Sequence, residues 1–234
     1  MNIIITKNKK EAVEKTAEII SELINKKPNA ILQLATGLTM VPLYSELVKL
    51  YKKGKIDFSK VSTFNLDEYA GLNFNDKESY HYYMNKYLFD KVNIQKCNTH
   101  FPSSNKKDYE DEMNKKGGVD LTILGIGVNG HIAFNEPGSS FNSTTREVKL
   151  SETTLEANSK LFPTIKKVPR EAYTVGLKTI MKSKKIVLLA FGSKKSEAIT
   201  KSLKGPITRK VPASVLREHK NATFIIDKNA SKGL

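Results

Sequence analysis

Two adjacent carboxylates, Asp67 and Glu68, are the first residues along the chain whose placement suggests chemistry. They directly follow residues 61–66, an alternating apolar segment that is typical of a buried strand. Burial raises the pKa of a carboxyl group, and such a carboxylate can act as a general base near neutral pH. An isolated pair of acids is more often explained by a turn or a helix cap, so the sequence leaves both interpretations open.

A second group combines an amide, an imidazole and a carboxylate directly after the apolar residues 119–126. Asn129 and His131 are two residues apart, so in an extended segment their side chains face the same side. Glu136 follows just before a Pro-Gly break. A histidine with a nearby carboxylate is a proton-transfer pair that works near neutral pH. The combination favours a catalytic site over a purely structural histidine.

Three glycines accompany this second group, and Gly125, Gly127 and Gly130 match the spacing GxGxxG of dinucleotide-binding proteins. That fingerprint opens a helix, and Pro137 would interrupt such a helix after a few residues. We therefore interpret the glycines as a sharp turn that lets the backbone approach a ligand closely.

A third group, Thr36, Gly37, Leu38 and Thr39, lies between the apolar residues 31–34 and a helical pattern. Free N–H groups and the helix dipole make a helix N-terminus a natural anion site, so phosphate binding is one interpretation. A plain turn with a threonine N-cap is the other. The segment lacks the GxxxxGK[ST] spacing of a Walker loop.

The elements that position these groups alternate along the chain. Alternating strands and helices predict an α/β protein with a mostly parallel sheet covered on both faces, whose ligand site lies at the carboxyl ends of the strands. Residues 138–170 are the least periodic, and we expect a loop-rich lid there. The predicted strands are residues 1–6, 31–34, 61–66, 119–126, 186–191 and 223–226, and the predicted helices are residues 9–25, 41–51, 79–89, 193–203 and 212–219.

Composition limits the possible partners. The 234 residues fit a single domain, residues 1–234, and carry 39 Lys+Arg against 24 Asp+Glu, a net charge of +15. Nucleic acid, an anionic substrate and a merely basic surface are the competing explanations. Only four of the basic residues are arginines and the lysines are spread evenly, so we expect no nucleic-acid partner.

The remaining composition indicates a cytoplasmic protein without metal or cofactor. The single cysteine, Cys97, cannot form an intrachain disulfide, which is typical of a reducing compartment. The longest apolar run, residues 186–191, is far shorter than the roughly 20 residues that cross a bilayer, and we see no signal peptide. The four histidines show no metal-binding spacing.

Seven stretches, in this order, resemble the glucosamine-6-phosphate deaminase (isomerase) family, over nearly the whole chain. The pairing of a DEY strand end with a GHIAFNEP segment is highly specific. The two most specific stretches are FNLDEYAGL (64–72) and GVNGHIAFNEPGS (127–139). The supporting ones are LATGLT (34–39), ESYHYYM (78–84), ANSKLF (157–162), VPREAYTVG (168–176) and FGSKKSEAI (191–199).

The resemblance implies a modified doubly wound, Rossmann-like fold and the conversion of glucosamine 6-phosphate and water to fructose 6-phosphate and ammonia. By the family pattern, Asp67 is the base that moves a proton between C2 and C1, and His131 opens the sugar ring. Asn129 and Glu136 orient and tune the imidazole. The phosphate is cradled by Thr36, Gly37, Leu38 and Thr39, with charge from Lys160 and Lys195.

Three departures from the family pattern carry expectations of their own. Some members have aspartate where this chain has Asn129, which predicts a shifted pH optimum rather than lost activity. Lys160 stands where arginine is frequent, and lysine lacks the bidentate fork that grips phosphate. The chain ends at Leu234, short of the C-terminal extension of allosteric members, so we expect a non-allosteric monomer or small oligomer.

Three alternatives stay open at the level of sequence. A 6-phosphogluconolactonase shares a similar phosphate turn and a histidine-bearing glycine segment, although FNLDEY and FNEPG favour the deaminase. A related sugar-phosphate isomerase without deamination is the second. A sugar-phosphate-sensing regulatory domain is the third, but the N-terminal strand and helix leave no room for a helix-turn-helix.

Overall fold

Strands and helices alternate along most of the chain in the computed structural model, which describes residues 1–159, 162 and 168–234. The strands are β1 (Asn2–Thr6), β2 (Ile31–Leu34), β3 (Ser62–Asn65), β4 (Asp67–Tyr69), β5 (Thr99–His100), β6 (Leu121–Leu124), β7 (Arg146–Lys149), β8 (Glu171–Thr174), β9 (Ile186–Ala190) and β10 (Ala222–Asp227). The α-helices are α1 (Lys9–Lys26), α2 (Met40–Lys52), α3 (Tyr80–Tyr87), α4 (Lys106–Lys115), α5 (Glu152–Ser159), α6 (Leu177–Ile180) and α7 (Ser196–Lys204). Short 3₁₀ helices include Ser193–Lys195 and Pro212–Glu218.

The main sheet is parallel and has the strand order β1-β10-β9-β6-β2-β3-β5. Every residue of β2, β6, β9 and β10 is buried, so both faces of the central strands are covered. This is why β9 reads as a continuous apolar run and the other three strands as mostly apolar ones, without regular alternation. The predicted α/β fold with a mostly parallel sheet is confirmed.

The first helix shows how local sequence sets an element. Asn8 accepts a hydrogen bond from the backbone N–H of Glu11, and the Glu11 carboxylate accepts one from the N–H of Lys7, a capping arrangement that fixes the start of α1. The helix then buries one stripe at helical spacing against the sheet and α2. The buried residues are Ala12, Val13, Thr16, Ala17, Ile20 and Ile24.

A second, antiparallel sheet with the order β4-β8-β7 lies beside the main one. The chain leaves the main sheet at Leu66, so Asp67 begins a strand of the small sheet instead of ending β3. Residues 138–170, which we expected to be loop-rich, contain β7 and α5. Sequence periodicity missed β7 because none of its four residues is buried and they alternate only between partly exposed and exposed.

The small sheet encloses its own apolar cluster, which includes Tyr69, Phe134 and Phe162. Tyr69 contacts both phenylalanine rings, at centroid distances of 5.7 and 5.5 Å. This cluster holds the segment that follows His131 against the start of β4. In the part of the chain that the structure describes, no helix is long and apolar enough to cross a membrane.

Candidate active site

The predicted site residues that the structure describes, all except Lys160, follow the carboxyl ends of four neighbouring strands of the main sheet. In the order β9-β6-β2-β3, each strand is followed by one of the groups singled out in the sequence. Lys195 follows β9, the loop with His131 follows β6, the turn with Thr36 follows β2, and Asp67 follows β3. The carboxyl edge of a parallel sheet is where such folds bind ligands.

Asp67 is a buried carboxylate with an unsatisfied oxygen. The side chain is 6% exposed, and its Oδ1 has no hydrogen-bond partner among the described residues. Burial, and secondarily the charge of Glu68, raises the pKa of Asp67 to about 8. A carboxylate that is dry, unpaired and basic is suited to removing a proton from carbon.

Glu68 has a different environment although it is the next residue. Its carboxylate accepts hydrogen bonds from the backbone N–H groups of Tyr69 (2.8 Å), Tyr80 (2.9 Å) and His81 (2.8 Å). The helix-cap interpretation of the acidic pair therefore holds for Glu68 and is wrong for Asp67. Burial raises the pKa of Glu68, while these N–H groups oppose that rise.

The glycine-rich segment forms a tight turn rather than the start of a helix. The Gly127 N–H donates to the carbonyl of His131 (2.9 Å), and the Gly130 N–H donates to the carbonyl of Gly127 (3.1 Å). Gly130 has φ of +86°, and a Cβ there would meet Val211. The rejection of a dinucleotide fingerprint is thus supported by the backbone path.

Asn135 anchors the far end of this loop. Its amide donates to the carbonyls of Ile132 (3.1 Å) and Val175 (2.8 Å), and its oxygen accepts a hydrogen bond from Arg146 (2.9 Å). The side chain is fully buried, so all three contacts are shielded from water. Glu136 follows directly and is held in place by this anchor.

His131, Glu136 and Asn129 form a polar network. Nδ1 of His131 lies 3.5 Å from Oε2 of Glu136, and the same oxygen accepts a hydrogen bond from the Asn129 amide at 2.9 Å. The Asn129 oxygen accepts from the His131 backbone N–H at 3.1 Å. Asn129 therefore contacts both partners, and the loop does not place it side by side with His131 as in an extended strand.

Thr154 of α5 completes the network, because its hydroxyl donates to Oε1 of Glu136. Burial tends to raise the pKa of Glu136, but the His131 imidazole and the Thr154 and Asn129 donors lower it to about 2. Glu136 is thus a permanent anion beside the imidazole. Sequence reasoning missed Thr154, since it lies in residues 138–170 and no local pattern connects it to Glu136.

The turn after β2 leaves its polar groups available. Thr39 stands at the N-cap of α2, as the threonine-cap interpretation has it, but its side chain makes no capping hydrogen bond. Gly37 has φ of +99°, and its carbonyl accepts from the Met40 N–H and from the Tyr83 hydroxyl. Leu38 is 83% exposed. The N–H groups at the start of α2 and the Thr39 hydroxyl make the turn a suitable anion cradle.

Tyr80 connects this turn with Asp67. Its hydroxyl contacts the Thr36 side chain, lies 3.4 Å from the Tyr69 hydroxyl, and is close enough to Asp67 for electrostatic interaction. The ring stacks on Phe134 at a centroid distance of 5.9 Å. The motif ESYHYYM contains Tyr80, but its sequence alone did not show which tyrosine faces the site.

The predicted lysines are placed unequally. Lys195 is half-buried in the 3₁₀ turn after β9, where burial lowers its pKa. No ion-pair partner for it is present in the part of the chain that is described. Lys160 lies outside the described residues. Among the described residues no group of three His, Cys, Asp or Glu side chains could hold a metal ion.

Comparison with known proteins identifies the family to which the chain is similar. Residues 6–225 match the family described as glucosamine-6-phosphate isomerases/6-phosphogluconolactonase. A glucosamine-6-phosphate deaminase of Thermoanaerobacter sp. (strain X514) is 50% identical over 238 residues, covering 99% of this chain and 94% of that protein. The deaminase of Clostridium botulinum (strain Kyoto / Type A2) is 48% identical, covering 100% and 99%.

Solved structures show the same relationship. A structure described as a monomeric glucosamine-6-phosphate deaminase has a TM-score of 0.97 and 40% identity, with 100% of both chains covered. The 6-phosphogluconolactonase of Thermotoga maritima has a TM-score of 0.76 and 22% identity, covering 97% and 99%, which shows a shared fold only. With a family match over residues 6–225 and relatives aligned along nearly its whole length, the chain belongs to the family of glucosamine-6-phosphate isomerases and 6-phosphogluconolactonases.

Proposed function

We propose that this protein converts glucosamine 6-phosphate and water to fructose 6-phosphate and ammonia. The observation that carries the proposal is the presence of two separate proton-transfer groups at one strand edge. Asp67 is buried and unpaired, whereas His131 is tied to an ionised Glu136. Relatives named for this activity, 47–50% identical over almost the full chain, support it.

Binding would begin at the phosphate. The turn formed by Thr36, Gly37, Leu38 and Thr39 offers backbone N–H groups at the start of α2, and Lys195 adds a half-buried positive charge. Lys160 is assigned to the same phosphate by its sequence motif alone. A phosphate far from the reacting carbons supplies binding energy for orienting the sugar.

Ring opening would use His131. The neutral imidazole takes the proton of the C1 hydroxyl and returns a proton to the ring oxygen, which breaks the C1–O5 bond and leaves an aldehyde at C1. The Glu136 carboxylate stabilises the imidazolium formed between these two transfers. A group that accepts and then donates near neutral pH is required, and histidine meets that requirement.

Isomerisation would use Asp67. Its carboxylate removes the C2 proton while O1 takes a proton from water, giving an enolamine, and the proton held by Asp67 then goes to C1. The product is an imine at C2, to which water adds before ammonia leaves, so no oxidant or reductant is consumed. One carboxylate serving both carbons fits a single dry base with a raised pKa.

The lactonase alternative is less well supported. Lactone hydrolysis needs an activated water but no proton transfer at C2, so it gives no role to a buried, unpaired Asp67. The lactonase structures that match are 17–22% identical and show the fold alone.

The test is an assay with the purified chain that follows ammonia and fructose 6-phosphate together. Equal amounts of both products are expected, and a substrate deuterated at C2 should carry deuterium to C1 of the fructose 6-phosphate. Binding of glucosamine 6-phosphate without turnover would indicate a sensing domain. Hydrolysis of 6-phosphogluconolactone alone would indicate a lactonase. Either result contradicts the proposal.

Two further properties belong to the same proposal. A monomer is proposed because the structural relative with a TM-score of 0.97 is described as monomeric, and light scattering of the purified chain tests it. A cytoplasmic location is proposed because a charged sugar phosphate stays in the compartment where it is phosphorylated. The lid over residues 138–170 stays a prediction, and the Thr154–Glu136 contact supports it.

A further inference from the structure

Two tyrosine hydroxyls hold the turn after β2. The Tyr83 hydroxyl, on α3, donates to the carbonyl oxygen of Gly37 at 2.7 Å. The Tyr44 hydroxyl, on α2, donates to the carbonyl oxygen of Ala35. The two rings also contact each other edge to face, at a centroid distance of 6.3 Å. Two alternate carbonyls of one turn are therefore fixed by side chains that come from two different helices.

Both tyrosines are dependable donors near neutral pH. Tyr44 is fully buried and Tyr83 is partly buried. Burial raises the pKa of both phenols above the usual value, so both keep the proton that they donate. The Gly37 carbonyl accepts a second hydrogen bond, from the backbone N–H of Met40 at 2.9 Å. Tyr83 thus supplies one of two hydrogen bonds that fix this peptide group.

The direction of these carbonyls sets the direction of the N–H groups that follow them. The peptide bonds are trans, and in a trans peptide the C=O of one residue and the N–H of the next point in opposite directions. The N–H groups of Thr36 and Leu38 therefore point away from the two hydroxyls. Within the described part of the chain, neither N–H has an acceptor. Both are thus available to an anion at the start of α2.

The glycine at position 37 makes this support necessary. Gly37 has φ of +99°, a conformation that glycine adopts readily, and a Cβ there would meet no described atom within 4 Å. Packing around the Gly37 α-carbon therefore does not fix the direction of the peptide group that follows it. The hydrogen bonds to its carbonyl oxygen do.

We propose that Tyr44 and Tyr83 are positioning residues of the phosphate site. By holding two carbonyls of the turn, they aim the N–H groups of Thr36 and Leu38 at the phosphate. The inference rests on the proposed function, which makes a sugar phosphate the ligand of this turn. Binding of phosphate requires no turnover, so the inference is testable apart from that function.

The experiment follows binding of inorganic phosphate to the full chain by nitrogen-15 NMR. In the unaltered chain, the amide signals of Thr36 and Leu38 should shift as phosphate is added. Tyr83→Phe removes one oxygen atom and keeps a ring of the same shape, and it should raise the dissociation constant that these signals report by about 5–10-fold. An unchanged constant, or two amide signals that do not respond to phosphate, would overturn the proposal.

Tyr87→Phe is the matched control. Tyr87 lies on the same helix and packs on the Tyr83 ring at a centroid distance of 4.7 Å, but its hydroxyl has no hydrogen-bond partner among the described residues. The phosphate dissociation constant should stay as in the unaltered chain. A rise equal to that of Tyr83→Phe would show that looser packing of α3 weakens binding, and would contradict the proposal.

Tyr44→Phe tests the other carbonyl, and it replaces Tyr83→Phe if that variant does not fold. It should weaken phosphate binding to a similar degree. Before phosphate is added, Tyr44→Phe should mainly shift the Thr36 amide signal and Tyr83→Phe the Leu38 signal, since each amide follows the carbonyl that is released. The same shifts in both variants would contradict separate roles.

Turnover of glucosamine 6-phosphate gives an independent readout. Both substitutions should raise KM about 5-fold or more and change kcat by less than about 2-fold, because the phosphate lies far from the reacting carbons. A fall in kcat at unchanged KM would contradict a role at the phosphate. A chain that binds phosphate at these amides but releases no ammonia would refute the proposed function alone.

Discussion

The imidazole of His131 lies over Gly127, in the space that a side chain at position 127 would occupy. A Cβ added to Gly127 would overlap three atoms of the ring. The turn also joins the two residues through the hydrogen bond from the Gly127 N–H to the His131 carbonyl. A glycine is thus required at position 127 by the position of the His131 ring and not by an unusual backbone angle.

Gly127→Ala is therefore expected to act by displacing His131. A displaced imidazole loses its alignment with Glu136 and with the sugar, so kcat should fall by about 10²–10³-fold. The measurement is steady-state turnover of glucosamine 6-phosphate. In a His131→Ala background, Gly127→Ala should add little further loss. A loss of the same size in both backgrounds would contradict displacement of His131 as the cause.

Asp67→Asn is expected to abolish most turnover and to stabilise the fold. Turnover should fall by about 10²–10⁴-fold with substrate binding retained, because the amide cannot accept the C2 proton. Titration calorimetry with glucosamine 6-phosphate measures the binding. A variant with native turnover would contradict the assignment of Asp67 as the base.

The stability effect of Asp67 has a defined pH dependence. The pKa of Asp67 is about 8 in the folded chain and near 4 when unfolded, so the folded state holds the extra proton between these values. The free energy of unfolding of the unaltered chain, relative to that of Asp67→Asn, should fall as pH rises from 4 to 8 and level off above 8. The full difference is roughly 2–5 kcal/mol. Thermal unfolding of both chains across this range measures it, and a difference that is constant with pH would contradict the raised pKa.

Much of the site was predictable from sequence because its residues are local in the chain. Each of the three groups follows an apolar strand. The carboxyl ends of parallel strands lie at the same edge of the sheet, independently of the loop conformations. The distinction between Asp67 and Glu68 was not predictable, since it depends on the N–H groups of Tyr80 and His81, which lie 12 and 13 residues further along. Thr154 was missed for the same reason, being 18 residues from Glu136.

The small sheet was also missed, and for a different physical reason. Its strands have three or four residues, and β7 has no fully buried residue. Such segments carry too little periodicity to be told from loops. The central parallel strands were predictable because burial on both faces makes their sequences mostly apolar.

Asn129→Asp is expected to change the pH dependence of turnover. The Asn129 amide nitrogen lies 2.9 Å from Oε2 of Glu136, so an aspartate there would place two carboxylates in contact. Like charges at that distance do not both ionise, and the low pKa of Glu136 would rise. The acid limb of the kcat/KM profile should move to higher pH while turnover persists. Thr154→Val removes a donor that also lowers the pKa of Glu136 but adds no charge, so it should move the acid limb in the same direction by less. An unchanged profile in Asn129→Asp would contradict the network.

Lys195→Gln is expected to weaken binding of the phosphate. Loss of a half-buried positive charge should raise KM about 10–100-fold with a smaller change in kcat. Lys194→Gln is the matched control, because Lys194 is the neighbouring lysine and is exposed. Equal effects of the two substitutions would show that the general positive field, not a local contact, binds the phosphate.

Asp120→Asn tests the opposite pH behaviour to that of Asp67, at the other end of the sheet. Asp120 is buried before β6 and accepts from Lys27 (2.6 Å), Lys184 (2.8 Å) and the N–H of Ile31 (2.8 Å). Burial tends to raise the pKa of Asp120, but these donors lower it below its usual value. The Asp120 carboxylate therefore stabilises the folded chain at pH values above its pKa in the unfolded chain, which is near 4. This contribution is lost as the pH falls through the lower pKa that Asp120 has in the folded chain. At pH 7 the substitution should cost about 2–3 kcal/mol of unfolding free energy, with kcat and KM unchanged. The cost should shrink below pH 4, so a loss of stability that grows with acid, or a fall in kcat at pH 7, would contradict a purely structural role.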